Sequence, residues 1–155
     1  MTKFLFALCA FFLFTAPAYA APAYAAPINS AFTGPRAEVT AGIDNLGRDF
    51  NYGTAVGFDM PLGDRLTIGA EATANDFFGR ERVLGVGGRL GLAVNTNLLL
   101  FGAVGYEDYR IRGLNGLRYG GGAELALGRF SYAKAEYRRG DDRQNTGLVG
   151  VGLRF

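Results

Sequence analysis

Eight separate segments of this 155-residue chain alternate apolar side chains with polar, charged or glycine residues at a period of two. The last is the plainest. One parity carries Gly147, Val149, Val151, Leu153 and Phe155, and the other carries Thr146, Leu148, Gly150, Gly152 and Arg154. Successive side chains of an extended strand leave on opposite faces, so this pattern specifies strands with one apolar face. Amphipathic helices instead repeat their apolar positions at three and four. In order, the segments are about 36–44, 51–60, 65–74, 82–92, 97–106, 117–127, 130–138 and 145–155. Eight such strands in one small chain predict an all-β fold, an eight-stranded antiparallel up-and-down barrel over residues 36–155. The fifth segment is ambiguous in facing. Leu98, Leu100, Val104 and Tyr106 share one side, but Leu99, Phe101, Ala103 and Gly105 on the other are nearly as apolar.

The connections are expected to alternate in length. Those after the second, fourth and sixth strands read as tight turns, such as Pro61-Leu62-Gly63-Asp64. Those after the first, third, fifth and seventh are longer and charged, the longest running over 107–116. Transmembrane barrels show this asymmetry between their two ends.

Alternation alone does not say whether the apolar face meets a core or lipid, and a soluble barrel of lipocalin type has apolar residues inside. Three features favour the lipid-facing arrangement. Apart from Arg82 at the very start of the fourth segment, the apolar parity of the eight segments carries no charge. The other parity mixes glycines with Glu38, Glu71, Arg89, Arg118, Glu124, Lys134, Glu136, Arg138 and Arg154. An eight-stranded lumen is only just wide enough for side chains, and small residues beside long, oppositely charged ones suit that space. Buried charges must be paired or hydrated, and the near balance of signs predicts a lumen plugged by salt bridges. Thirdly, aromatics gather near strand ends on the apolar parity. Tyr52, Tyr106, Tyr119 and Tyr137 lie at the loop ends, and Phe58 and Phe155 at the turn ends, an arrangement expected of interfacial girdles. The fold class is therefore predicted to be a transmembrane β-barrel, with Val86 and Ala70 touching lipid near mid-depth.

Upstream of the barrel, residues 1–20 read as a secretory signal peptide: Lys3, an apolar run from Phe4 to Phe14, then Ala18-Tyr19-Ala20 as the cleavage site. Ala23-Tyr24-Ala25 offers a second cut, as late as residue 25. Residues 21–35 have no period and contain three prolines, and are expected to be a short periplasmic tail.

Gly34-Pro35-Arg36-Ala37-Glu38, Glu136-Tyr137-Arg138 and Gly152-Leu153-Arg154-Phe155 resemble the outer-membrane β-barrel family, the small OmpA-type and opacity-type surface proteins of Gram-negative bacteria. The resemblance implies residence in the cell outer membrane and contact with outer-membrane lipid and lipopolysaccharide. It also implies delivery by the barrel assembly machinery, with Phe155 as part of the assembly signal.

Little catalytic chemistry is available. The chain has no histidine, which removes the usual general base. Its single cysteine, Cys9, lies in the signal segment, so a Cys- or His-based zinc site is excluded from the mature chain. Carboxylates such as Glu71 and Glu124 sit among Arg89, Arg118, Lys134 and Arg138, and read as neutralised lumen partners rather than acid-base pairs. Gly85-Val86-Gly87-Gly88 and Gly120-Gly121-Gly122 lack the Lys-Ser/Thr of a phosphate loop. A net charge of +2 gives no reason to expect nucleic acid. No enzyme activity, cofactor or metal is expected, and the chain is expected to be a monomer. The expected role is structural or surface-interacting. A narrow porin-like channel for ions or small solutes is the alternative, and a surface adhesin a third reading.

Overall fold

The computed structural model describes residues 27–44, 49–75, 83–109, 114–140 and 145–155. Residues 1–26, on which the expected signal peptide falls, and the four connections 45–48, 76–82, 110–113 and 141–144 lie outside the described residues.

The eight alternating segments form eight strands: β1 (Gly34–Asp44), β2 (Asp49–Leu62), β3 (Leu66–Asn75), β4 (Val83–Ala93), β5 (Leu98–Tyr109), β6 (Leu114–Ala126), β7 (Ser131–Gly140) and β8 (Asn145–Arg154). Each pairs antiparallel with its sequence neighbour, and β8 returns to β1 with Val151 opposite Val39, closing the barrel. Closure removes every sheet edge, which a lone hydrophobic strand would expose to aggregation. Short connections, Gly63–Arg65 among them, define a turn end; Gly63 takes a positive φ of 82°, a conformation that suits glycine.

Several strands run further than the alternation suggests. β5 and β6 extend to Tyr109 and from Leu114, so the connection expected over 107–116 shrinks to 110–113. Ladder hydrogen bonds carry the strands through polar residues that read as loop in the sequence. Glu107 thereby becomes a strand residue facing inward, in register with Gly85 and Gly116.

The polarity of the barrel is inverted relative to a water-soluble one. Val39, Val56, Val86, Val104, Val149 and Val151 are all more than half exposed on the outside, whereas Glu124 is 0% and Arg89 4% exposed within. Strand five takes its place in this pattern: Leu100, Val104 and Tyr106 face out, and Leu99 and Phe101 are buried inside. Val86 stands opposite Tyr106, near the loop end of β4, and so is not the mid-depth residue the alternation suggests. Val39, at the centre of β1, is a better marker of the middle.

The inward apolar side of β5 has a partner that periodicity cannot reveal. Within the stretch 21–35, expected as a tail, Ile28–Phe32 form a 3-10 helix at the turn end of the lumen. Phe32 is 0% exposed and packs with Ala93, Leu99 and Phe101, flanked by Ile28, Ala103 and Ala126. Asn29 pins the segment: its Nδ2 donates to the Gly63 carbonyl at 2.9 Å and the Leu66 carbonyl at 2.6 Å, and its backbone N–H donates to the Asp64 carbonyl at 3.2 Å. Asn29→Ala removes both side-chain bonds and leaves part-buried carbonyls without that donor, so it should cost about 1–3 kcal/mol of stability. An unchanged urea midpoint for the refolded variant would show that the plug is not held by this residue.

Candidate functional site: the lumen charge network

Ion pairs on the inward parity join six acids, Glu38, Asp59, Glu71, Glu107, Glu124 and Glu136, to six bases, Arg36, Arg89, Arg118, Lys134, Arg138 and Arg154. They are organised as two linked circuits and one separate pair. In the first circuit Arg89 contacts Asp59 at 2.6 Å and also bonds Glu124. Arg154 returns to the same two acids, at 3.4 Å to Asp59 and 2.9 Å to Glu124. These residues come from β2, β4, β6 and β8. Stagger in a closed barrel brings the inward side chains of alternate strands to one level, so this circuit spans the lumen.

The second circuit alternates sign around Arg36, Glu38, Lys134, Glu136, Arg138 and Glu71. Arg36 reaches Glu38 at 3.1 Å and Glu71 at 2.6 Å. Lys134 bonds Glu38 and lies 2.9 Å from Glu136. Arg138 bonds Glu136 and closes the loop on Glu71 at 3.8 Å. Tyr132 adds a donor to Glu38 at 2.7 Å. The circuits meet where Arg36 contacts Asp59 at 3.1 Å. Arg118 instead pairs with Glu107, which also accepts from Asn75 at 3.3 Å.

Aromatics connect the charges to the plug. Arg89 lies 5.2 Å from the centre of the Phe101 ring, and Arg154 lies 5.8 Å from Phe32 and 4.9 Å from Tyr132. Contacts of this kind are strongest where water is excluded. Arg154 also donates to the Ala31 carbonyl at 3.2 Å. A small cavity beside Glu71, Gly87, Gly105, Arg118, Glu136 and Arg138 has a volume of about 10 Å³, room for about one water.

All nine charged residues singled out from the sequence face the lumen, but Arg118 stands apart from the two circuits. Four members of the network are additional. Arg36 shares the parity of Glu38, and Asp59 that of Gly53 and Gly57, so period two contains their signal; Tyr132 is likewise on the inward parity of β7. Glu107 is hidden by the misplaced end of β5. The inward glycines are more than small fillers. A Cβ on Gly87 would come within 2.8 Å of the Val104 carbonyl oxygen, and one on Gly105 within 2.8 Å of that of Val86. Gly87 and Gly105 face each other across β4 and β5, so even serine is strained there.

Of the aromatic positions expected near the interfaces, Phe58, Tyr106, Tyr119, Tyr137 and Phe155 are exposed on the outside and Tyr52 is half-buried. Phe50 and Phe130 join them, each more than half exposed. Phe155 lies at the turn end, where its N–H donates to the Pro35 carbonyl at 2.9 Å.

No protein-family profile matches the chain, and no curated protein does either. Solved structures do. A structure from de novo design of transmembrane β-barrels aligns with TM-score 0.59 at 16% identity, over 78% of this chain and 94% of its own. The N-terminal β-barrel domain of Pseudomonas aeruginosa OprF aligns with TM-score 0.56 at 11% identity, over 78% and 96%. A redesigned β-barrel, mFAP1, bound to DFHBI aligns with TM-score 0.54 at 12% identity, over 83% and 99%. The likeness is one of fold. It spans barrels of different purpose.

Proposed function

We propose that this chain is an outer-membrane β-barrel with a structural or surface-interaction role and a closed lumen. The observation that carries this reading is the inverted polarity: an apolar exterior around a charged interior crossed by ion pairs. Such an exterior is a large penalty in water and the required surface in a bilayer. Resemblance to small outer-membrane barrels, and the fold shared with the OprF barrel domain, support the outer membrane as the location. Two barriers in series argue against conduction. The Phe32 plug fills the turn end, and the circuits fill the level above it.

The tests are direct. Protein from the membrane fraction should migrate differently on a detergent gel before and after boiling, because a closed barrel resists detergent until heated. A soluble product with no heat-dependent shift would sink the membrane reading. Reconstituted in planar bilayers, the intact barrel should give no steady ion-selective current. Reproducible openings whose selectivity reverses on changing Glu124 or Lys134 would establish a pore instead.

A further inference from the structure

The apolar exterior carries an open notch at β8. On β8, Gly147 faces outward between Tyr137 of β7 and Ile43 of β1 in the strand register. The row beneath sets Ala135 and Ala41 on either side of Val149. Small residues flanked by large ones leave a shallow, open groove lined by Ala41, Ile43, Ala135, Tyr137, Gly147 and Val149. A Cβ on Gly147 would meet nothing within 4 Å, so the glycine is not required by packing.

Above the groove, toward the loop end, the surface becomes polar. The Tyr137 hydroxyl donates to Asn145 Oδ1 at 2.8 Å. Arg139, opposite both Tyr119 and Asn145, is exposed on the same outward parity. Only Asp108 and Arg139 carry charge on the outward parity of the strands among the described residues, and Arg139 is the one beside this groove. An apolar slot with Tyr137 at its edge, and Asn145 and Arg139 in the next outward row of the register, matches an amphiphile with a hydrocarbon chain and an anionic head. Guanidinium recognises phosphate well, through paired N–H donors.

From this juxtaposition we infer that the Gly147 groove seats one acyl chain of a phosphate-bearing membrane lipid, whose headgroup is held at Arg139. The inference rests on the membrane reading above and adds a specific, retained lipid to it. The chain lies along β8 between Tyr137 and Ile43, and the tyrosine and Asn145 mark the level at which hydrocarbon gives way to headgroup.

The test uses the full barrel refolded in bilayers of phosphatidylglycerol and phosphatidylcholine, then extracted in mild detergent for native mass spectrometry. The unaltered protein should retain one phosphatidylglycerol in preference to phosphatidylcholine. Gly147→Phe puts a ring in the middle of the groove from a Cβ that meets nothing within 4 Å, and should lower retention about tenfold, with the heat-dependent gel shift unchanged. Arg139→Gln should leave retention of lipid in place but bring the two headgroups close to parity. Retention that is indifferent to Gly147→Phe, or a lipid-free dimer seated on this face, would overturn the proposal. A protein that fails to insert would overturn the membrane reading and this inference together, whereas a barrel that inserts and retains no lipid overturns this inference alone.

Discussion

Arg89→Ala is expected to lower the stability of the barrel by about 3–5 kcal/mol, the range for removing one partner of a buried ion pair. Arg89 is 4% exposed and bridges Asp59 and Glu124 in the circuit that spans β2, β4, β6 and β8. Without it, both acids depend on Arg154 and Arg36 alone, and the lumen gains an uncompensated negative charge. Contact with the Phe101 ring is lost as well. The chain contains no tryptophan, so unfolding in urea is best followed by circular dichroism or by the fraction of heat-shifted band. Adding Glu124→Gln to the variant restores the balance of charge and should recover much of the loss, because removing both members of a buried pair costs far less than removing one. Equal destabilisation by the single and double variants would mean that lost packing, not orphaned charge, sets the cost.

Val39→Arg tests the other face. Val39 sits at the middle of β1, opposite Thr54 and Val151, and is 56% exposed on the outer surface. If that surface meets hydrocarbon, a cation there should cost about 2–4 kcal/mol when the barrel is refolded into bilayers. The same change at Val86, beside Tyr106 near the loop end, should cost less, since the penalty falls to about 0–1 kcal/mol toward the interface. The gradient matters more than either value. A water-facing strand would tolerate both substitutions to within about 0.5 kcal/mol, and two small, equal effects would refute a lipid-facing exterior.

Inside-outside alternation was legible residue by residue, because side-chain direction on a strand is a local property fixed by the pleat. Period two alone puts Glu38, Glu71, Arg89, Arg118, Glu124, Lys134, Glu136, Arg138 and Arg154 on one face. Strand ends were less legible. Glu107, Asp108 and Arg139 are polar, and polarity near a connection reads as loop; only the ladder to the neighbouring strand extends β5 and β7 through them.

By itself, then, the sequence determined the strand count, the antiparallel order and which side of each strand is apolar. Partnership was decided by tertiary structure. Glu38 meets Lys134, and Arg36 meets Glu71, through the stagger of a closed barrel and the width of its lumen, and neither quantity is written in any one strand. The same holds at the turn end. Ile28–Phe32 has no period to announce it, and its burial follows only once eight strands enclose an opening lined by Leu99 and Phe101, where a phenylalanine can leave water.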